Sequence, residues 1–143
     1  MGRCVLVVDD HPPMVTLLRD ALEQEGYLVL SAQNGAEGLR VAAAHQPDLV
    51  ILDVEMPVMN GFEVLRALRL KVSTGSLPVI MLSVHQAPQD LLAGWMAGAD
   101  LYLTKPCKIE DVVAAVKQTL GPPAHEPAGS PRLQLLPAEP VGN

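Results

Sequence analysis

The sequence predicts a doubly wound α/β domain, in which helices cover both faces of a parallel sheet. Five short apolar runs indicate the strands, at residues 4–8, 27–30, 49–52, 79–82 and 101–103. Each run is followed by a stretch in which apolar residues recur at helical spacing. Strands that alternate with helices pair in parallel through right-handed crossovers, and such strands are apolar throughout. We therefore expect five βα units in a three-layer sandwich.

The first βα unit begins with an apolar run, 4–8, that is expected to lie buried on both faces. Pro12 and Pro13 prevent this strand from continuing, and proline is favoured at the first positions of a helix. The helix that follows aligns three apolar residues on one face: Val15, Leu18 and Leu22.

The later units repeat this pattern. Run 49–52 leads into the segment EMPVMNG, where Pro57 and the pair Asn60-Gly61 predict tight turns. The last helix carries its polar residues away from one apolar face. That face consists of Ile109, Val112, Val113, Val116 and Leu120.

A change of composition marks the end of the domain. The chain has 143 residues and is 49% hydrophobic, which suits one domain with a core and is too short for two. We assign residues 1–121 to the domain. Residues 122–143 hold six of the 13 prolines and are expected to form a disordered tail or linker. The apolar patch 133–136 is either a chance feature or a docking motif, and the tail is either a natural end or a linker to a further domain.

Composition also restricts the partners. The formal net charge of −6 disfavours direct binding to nucleic acid or anionic lipid, and four aromatic residues are too few for a base-stacking platform. The two cysteines, Cys4 and Cys107, suit reduced thiols better than a disulfide scaffold. Neither a signal peptide nor a long apolar span is evident, so we expect a cytoplasmic protein without membrane contact.

Polar side chains follow the predicted strands at their carboxyl ends. Asp9 and Asp10 follow the first strand and Asp53 the third, while Ser83 follows the fourth and Lys105 the fifth. Each has an ordinary alternative, because an aspartate or serine can cap a helix or form a turn, and most lysines are solvated. Parallel sheets, however, bind their ligands beyond the carboxyl ends of their strands.

Strand order brings these residues together. In the flavodoxin-like order 2-1-3-4-5, strands one and three are neighbours, so Asp9, Asp10 and Asp53 share one cleft. Lys105 is then two strands from Asp53, roughly 10 Å, a gap that a long lysine side chain largely bridges. Three carboxylates facing one lysine leave two negative charges without a positive partner. A hard cation with oxygen ligands fits this deficit, and we expect Mg²⁺, with Mn²⁺ as a substitute.

The motifs VVDDHP, LVILDVEMPVMNGFEVL, PVIMLS and GADLYLTKP resemble the receiver domain of bacterial two-component response regulators, over residues 3–120. This resemblance implies that Asp53 is the phosphoacceptor. It also implies that Mg²⁺ is held by Asp9, Asp10 and Asp53 together with the backbone carbonyl of Glu55.

The same resemblance assigns the switch residues. Ser83 matches the hydroxyl switch residue, Tyr102 the aromatic switch and Lys105 the phosphate-binding lysine, with a cis peptide expected between Lys105 and Pro106. It implies phosphoryl transfer from a phosphohistidine of a sensor histidine kinase or phosphotransfer protein. The face formed by the fourth helix, fifth strand and fifth helix would then meet an effector protein, an output domain or a second copy.

Several positions depart from the family pattern. Leu101 stands where a second acid is frequent, and Cys107 replaces a frequent phenylalanine. Val84 is bulkier than the residues common after Ser83, and we expect it to narrow access to Asp53. His85 either contacts the phosphoryl group or its attacking water, or is an ordinary loop histidine.

Two other functions remain open from the sequence. One is a Mg²⁺-dependent phosphohydrolase with Asp53 as nucleophile, although Glu55 only loosely imitates the second acid that such enzymes often use. The other is a phosphate-independent interaction module of the same fold. The complete set of acids, hydroxyl and lysine argues against this module.

Overall fold

The computed structural model of the chain describes residues 3–85 and 87–121. Five strands alternate with five helices in this part of the chain. The strands are β1 (Cys4–Val8), β2 (Leu28–Ala32), β3 (Leu49–Asp53), β4 (Val79–Ser83) and β5 (Leu101–Thr104). The helices are α1 (Pro12–Gln24), α2 (Gly35–His45), α3 (Gly61–Leu70), α4 (Pro88–Ala97) and α5 (Ile109–Leu120). The expected tail, 122–143, and its apolar patch lie outside the described residues.

All five strands pair in parallel, in the order β2-β1-β3-β4-β5. This confirms the predicted doubly wound class and its strand order. The register aligns the carboxyl ends: Val8 pairs with Leu52, and Ser83 pairs with Thr104. The residues that end or follow these strands therefore share one edge of the sheet.

Side chains of successive strand residues enter two separate cores, one on each face of the sheet. Leu6, Val50 and Met81 pack on the face covered by α2 and α3, whereas Val5 and Ile51 pack on the opposite face. The apolar faces expected for α1 and α5 cover this second face. Their buried members are Leu18, Leu22, Val112 and Val116, and Val15, Ile109, Val113 and Leu120 are partly buried against them.

The predicted bounds of β1 are confirmed, whereas those of the other four strands were wrong by one or two residues. The strand β2 begins at Leu28 and ends at Ala32, and β3, β4 and β5 each extend one residue further than their apolar runs. Asp53 and Ser83 are thus the last residues of their strands and do not follow them. Backbone pairing determines where a strand ends, and a polar residue at the edge of the sheet still pairs.

The pair Asn60-Gly61 begins α3. The Asn60 side chain accepts a hydrogen bond from the backbone N–H of Glu63, and the Glu63 side chain accepts one from the backbone N–H of Asn60. A Cβ atom at Gly61 would lie 2.5 Å from the backbone oxygen of Asp53. Glycine therefore allows α3 to start directly against the end of β3, beside Asp53.

Two compositional expectations concern cysteines and membranes. Cys4 and Cys107 carry free, partly buried thiols. Among the helices of the described residues, none has both the length and the apolar character needed to cross a bilayer.

Candidate functional site

Three carboxylates meet at the carboxyl edge of the sheet, because β1 and β3 are adjacent. One carboxylate oxygen from each of Asp9, Asp10 and Asp53 lies within 4.8 Å of the others. Asp9 and Asp53 are buried, with 2% and 4% of their surface exposed, whereas Asp10 is exposed. The structure thus brings together the three acids that the strand order predicted.

Asp9 contributes an unsatisfied oxygen to this cluster. Its Oδ1 accepts a hydrogen bond from the backbone N–H of His11, at 2.9 Å. His11 is the N-cap of α1 and no side chain in the described part of the chain caps this helix, so the alternative role of Asp9 as a helix cap is wrong. Its Oδ2 is buried and has no hydrogen-bond partner among the described residues. Burial raises the pKa of the Asp9 carboxyl, despite the opposing effects of the His11 hydrogen bond and the Lys105 charge. A buried acceptor without a donor is costly, and an oxygen-seeking cation would satisfy it.

Lys105 reaches the cluster from β5. Its Nζ lies 3.0 Å from Oδ1 of Asp53, across the intervening strand β4. Burial and the neighbouring Asp9 charge nevertheless raise the pKa of Asp53 from 3.8 to about 6, because they outweigh the hydrogen bond and charge of Lys105. One lysine therefore does not neutralise the acids around it.

The backbone of Lys105 is fixed as well. Its N–H donates to the carbonyl oxygen of Ser83, at 2.6 Å, and the Lys105-Pro106 peptide is cis, as expected. Burial by itself would lower the pKa of the Lys105 ammonium, but the hydrogen bond and charge of Asp53 outweigh it and raise that pKa. Lys105 consequently stays charged beside the acids.

Ser83 is completely buried and belongs to a second group of side chains beside the acids. Its Oγ donates to Oε2 of Glu55, at 2.7 Å, and accepts from the backbone N–H of His85, at 2.9 Å. The N-cap of α4 is Ala87, so the alternative role of Ser83 as a helix cap is wrong. The Ser83 hydroxyl is present at the site and is engaged by Glu55.

His85 joins the same group through its imidazole. Its Nε2 lies 3.0 Å from Oε2 of Glu55. Neither of the two roles considered from the sequence, a phosphoryl contact or an ordinary loop histidine, includes this pairing. Sequence reasoning considered the Glu55 side chain only as a loose imitation of a phosphohydrolase's second acid and missed its contacts with Ser83 and His85.

Tyr102 lies partly buried on β5 and contacts α4. Its hydroxyl donates to the backbone carbonyl of His85, at 3.3 Å. A Cβ atom at Gly94 would lie 2.6 Å from Cδ2 of the Tyr102 ring, so only glycine leaves room for this ring position. Sequence reasoning missed Gly94, although a glycine inside a helix costs about 1 kcal/mol relative to alanine and often has a packing reason.

Val84 stands apart from these contacts. Its side chain is 57% exposed, at the turn between β4 and α4. Its expected effect on access to Asp53 stays a prediction.

The fold and this edge define a class of protein: a flavodoxin-like domain with an acid cluster, a lysine and a hydroxyl at the carboxyl ends of its strands. The family model described as the response regulator receiver domain matches residues 5–117. The chain belongs to this family and is a receiver domain of two-component response regulators.

Named relatives agree with this assignment. The chain is 41% identical to the alkaline phosphatase synthesis transcriptional regulatory protein PhoP of Bacillus subtilis, over 84% of this chain and 49% of PhoP. It is 36% identical to protein PilH of Pseudomonas aeruginosa, over 81% of this chain and 96% of PilH. The structure of chemotaxis protein CheY4 of Vibrio cholerae matches with a TM-score of 0.80 and 32% identity, over 84% of this chain and 100% of CheY4. The chain spans about half the length of curated transcriptional regulators such as PhoP.

Proposed function

We propose that this receiver domain accepts a phosphoryl group on Asp53, from a phosphohistidine of a sensor histidine kinase or phosphotransfer protein. The observation that carries the proposal is the buried Asp53 carboxylate, which lies 3.0 Å from the Lys105 ammonium and within the acid cluster. Family membership supplies the reaction class.

The chemistry requires alignment and positive charge more than it requires acid–base catalysis. A carboxylate oxygen of Asp53 forms a bond to phosphorus while the bond to the donor breaks, and the donor leaves with the electron pair. The incoming phosphoryl oxygens are negative, and the Lys105 ammonium attracts them. With a pKa of about 6, Asp53 is mostly ionised at neutral pH and can act as the nucleophile.

The same residues fit Mg²⁺, with Mn²⁺ as a substitute. Asp9, Asp10 and Asp53 would hold the ion through carboxylates, and Glu55 through its backbone carbonyl. The unpaired Oδ2 of Asp9 and the excess of negative charge support this assignment. When bound, the ion supplies positive charge that offsets the acids and the phosphoryl oxygens.

The switch transmits phosphorylation to a partner. Ser83 and Lys105 would bind the phosphoryl oxygens, and Tyr102 would convey the change to the α4–β5–α5 face. On α4, Leu92 and Trp95 are large apolar residues with 57% and 53% of their surface exposed, which suits contact with an effector protein, an output domain or a second copy. The cytoplasm is the proposed compartment, in keeping with the two free thiols.

The contacts of Glu55 favour a switch over a phosphohydrolase. Its carboxylate accepts a hydrogen bond from Ser83 and lies 3.0 Å from Nε2 of His85, so it does not stand free beside Asp53 as a second catalytic acid. We therefore propose a protein that catalyses only its own phosphorylation and dephosphorylation. A phosphate-independent interaction module would have no use for the buried ion pair of Asp53 and Lys105.

Intact-mass spectrometry with acetyl phosphate and Mg²⁺ tests the proposal. The parent should gain one phosphoryl group, and Asp53→Asn should gain none. Asp20→Asn removes an exposed acid on α1 and should be labelled like the parent. Equal labelling of the Asp53→Asn variant would exclude Asp53 as the acceptor. Sustained turnover of a small phosphomonoester would identify a phosphohydrolase instead.

A further inference from the structure

The Glu55 carboxylate contacts two residues at the carboxyl end of β4: Ser83, the last residue of the strand, and His85, in the turn that follows. Its Oε2 accepts from Ser83 Oγ at 2.7 Å and lies 3.0 Å from Nε2 of His85. The backbone N–H of His85 in turn donates to Ser83 Oγ, at 2.9 Å. These two hydrogen bonds and the close approach of the imidazole link Glu55, Ser83 and His85 in a closed ring of polar contacts, which we call the Glu55 ring.

The Ser83 hydroxyl cannot serve two acceptors at once. A serine hydroxyl has a single O–H donor. In this structure the hydroxyl donates to Glu55, and Ser83 is completely buried. A phosphoryl group on Asp53 can therefore receive the Ser83 proton only if the bond to Glu55 breaks.

We propose that the Glu55 side chain is a positioning residue that holds the Ser83 hydroxyl away from the phosphoryl site until Asp53 is phosphorylated. The inference rests on the proposed function and adds a role for a side chain that it leaves unused. Phosphorylation of Asp53 favours release of the Ser83 hydroxyl from Glu55 in two ways. The phosphoryl oxygens compete as strong acceptors for the hydroxyl, and their added negative charge repels the carboxylate of Glu55.

Opening of the Glu55 ring also affects the hydrogen bond of Tyr102. The oxygen that accepts from Ser83 also holds the His85 imidazole, so loss of Glu55 from this position frees both groups. The carbonyl of His85 accepts a hydrogen bond from the Tyr102 hydroxyl at 3.3 Å. Glu55 consequently links the state of Asp53 to the position of Tyr102 beside α4.

Beryllofluoride, which mimics a phosphoryl group on a carboxylate, provides the probe. Its affinity in the presence of Mg²⁺ is measured by calorimetry and by the fluorescence of Trp95, the single tryptophan of the chain. Glu55→Ala should bind beryllofluoride roughly tenfold more tightly than the parent, because Ser83 no longer has to leave a charged acceptor. Glu55→Gln keeps a neutral acceptor and should show a smaller gain in the same direction.

A double-mutant cycle separates release of Ser83 from simple loss of charge. In a Ser83→Ala background, the gain from Glu55→Ala should be smaller by roughly threefold or more. Glu110→Ala removes an exposed acid in the first turn of α5 and should leave the affinity unchanged. Melting temperatures of all variants verify that each is folded.

A spectroscopic measurement gives a signal that a change in overall stability would not affect. The ¹⁵N signals of the His85 imidazole should shift when beryllofluoride binds to the parent. In Glu55→Ala they should lie near their released positions before any ligand is added.

Three results would overturn the role of Glu55. The first is an affinity for beryllofluoride in Glu55→Ala that is unchanged or weaker, and the second is an equal gain in affinity in the Ser83→Ala background. The third is that the ¹⁵N signals of His85 do not change when Glu55 is replaced. Failure of the proposed function has a different signature. In that case the parent itself would not bind beryllofluoride, or Asp53→Asn would bind it as tightly as the parent.

Discussion

Asp53 and Lys105 form an ion pair of 3.0 Å, and the pKa of Asp53 is nevertheless raised to about 6. Burial and the nearby Asp9 charge outweigh the lysine. Because the folded-state pKa lies above its ordinary value of 3.8, the protonated carboxyl is favoured by folding. The contribution of this group to stability is therefore complete below about pH 4 and is lost as the pH rises through about 6.

Asp53→Asn should stabilise the metal-free protein at neutral pH. The amide has the shape of the protonated acid and cannot ionise, so the free energy of unfolding should rise by about 3 kcal/mol near pH 7 and by less than about 1 kcal/mol near pH 4. Urea denaturation at both pH values measures the difference. A loss of stability at neutral pH, or an equal gain at both, would contradict the assigned pKa; Asp20→Asn is the control.

Mg²⁺ should stabilise the parent, because the proposed ligands come together as a cluster only in the folded protein. At a concentration 100-fold above its dissociation constant, the free energy of unfolding should rise by about 2.7 kcal/mol. Asp10→Asn should lose most of this effect while changing the metal-free protein little, since Asp10 is exposed. Thermal unfolding with and without Mg²⁺ tests this, and an undiminished effect in Asp10→Asn would remove Asp10 from the ligands.

Gly94→Ala should displace the Tyr102 ring. Alanine is intrinsically better in a helix by about 1 kcal/mol, but its Cβ would lie 2.6 Å from the ring. The substitution should therefore fail to stabilise the parent, yet stabilise a Tyr102→Ala background by about 1 kcal/mol. Denaturant unfolding of the four proteins in this cycle measures both values. The same gain in both backgrounds would show that the ring does not depend on Gly94.

Val84→Ala should speed phosphorylation by acetyl phosphate, and hydrolysis of the acyl phosphate, without changing Mg²⁺ affinity. A branched side chain next to Ser83 would restrict entry to Asp53, whereas the carboxylates proposed as metal ligands lie at the ends of β1 and β3. Rapid-quench labelling gives both rates, and a metal titration gives the affinity. Val72→Ala, at a fully exposed valine before β4, is the matched control. Phosphorylation no faster than that of the parent would exclude a gate at Val84.

The fold and the acid cluster followed from local features of the sequence. Apolar runs and helical spacing are short-range patterns, and their alternation leaves few topologies. Parallel pairing then aligns the carboxyl ends of the strands, so Asp9, Asp10, Asp53 and Lys105 could be assigned to one edge. Strand bounds were less predictable, because Asp53 and Ser83 pair through their backbones although their side chains are polar.

The tertiary structure alone decided what these side chains touch. The sequence placed Ser83 and Glu55 near one site, but 28 positions separate them, and only the packing of the loop after β3 against the end of β4 brings the hydroxyl to the carboxylate. The close approach of Tyr102 to Gly94 likewise depends on how α4 lies against β5. Local sequence determines backbone form and burial, whereas hydrogen-bond partners depend on rotamers that distant neighbours select.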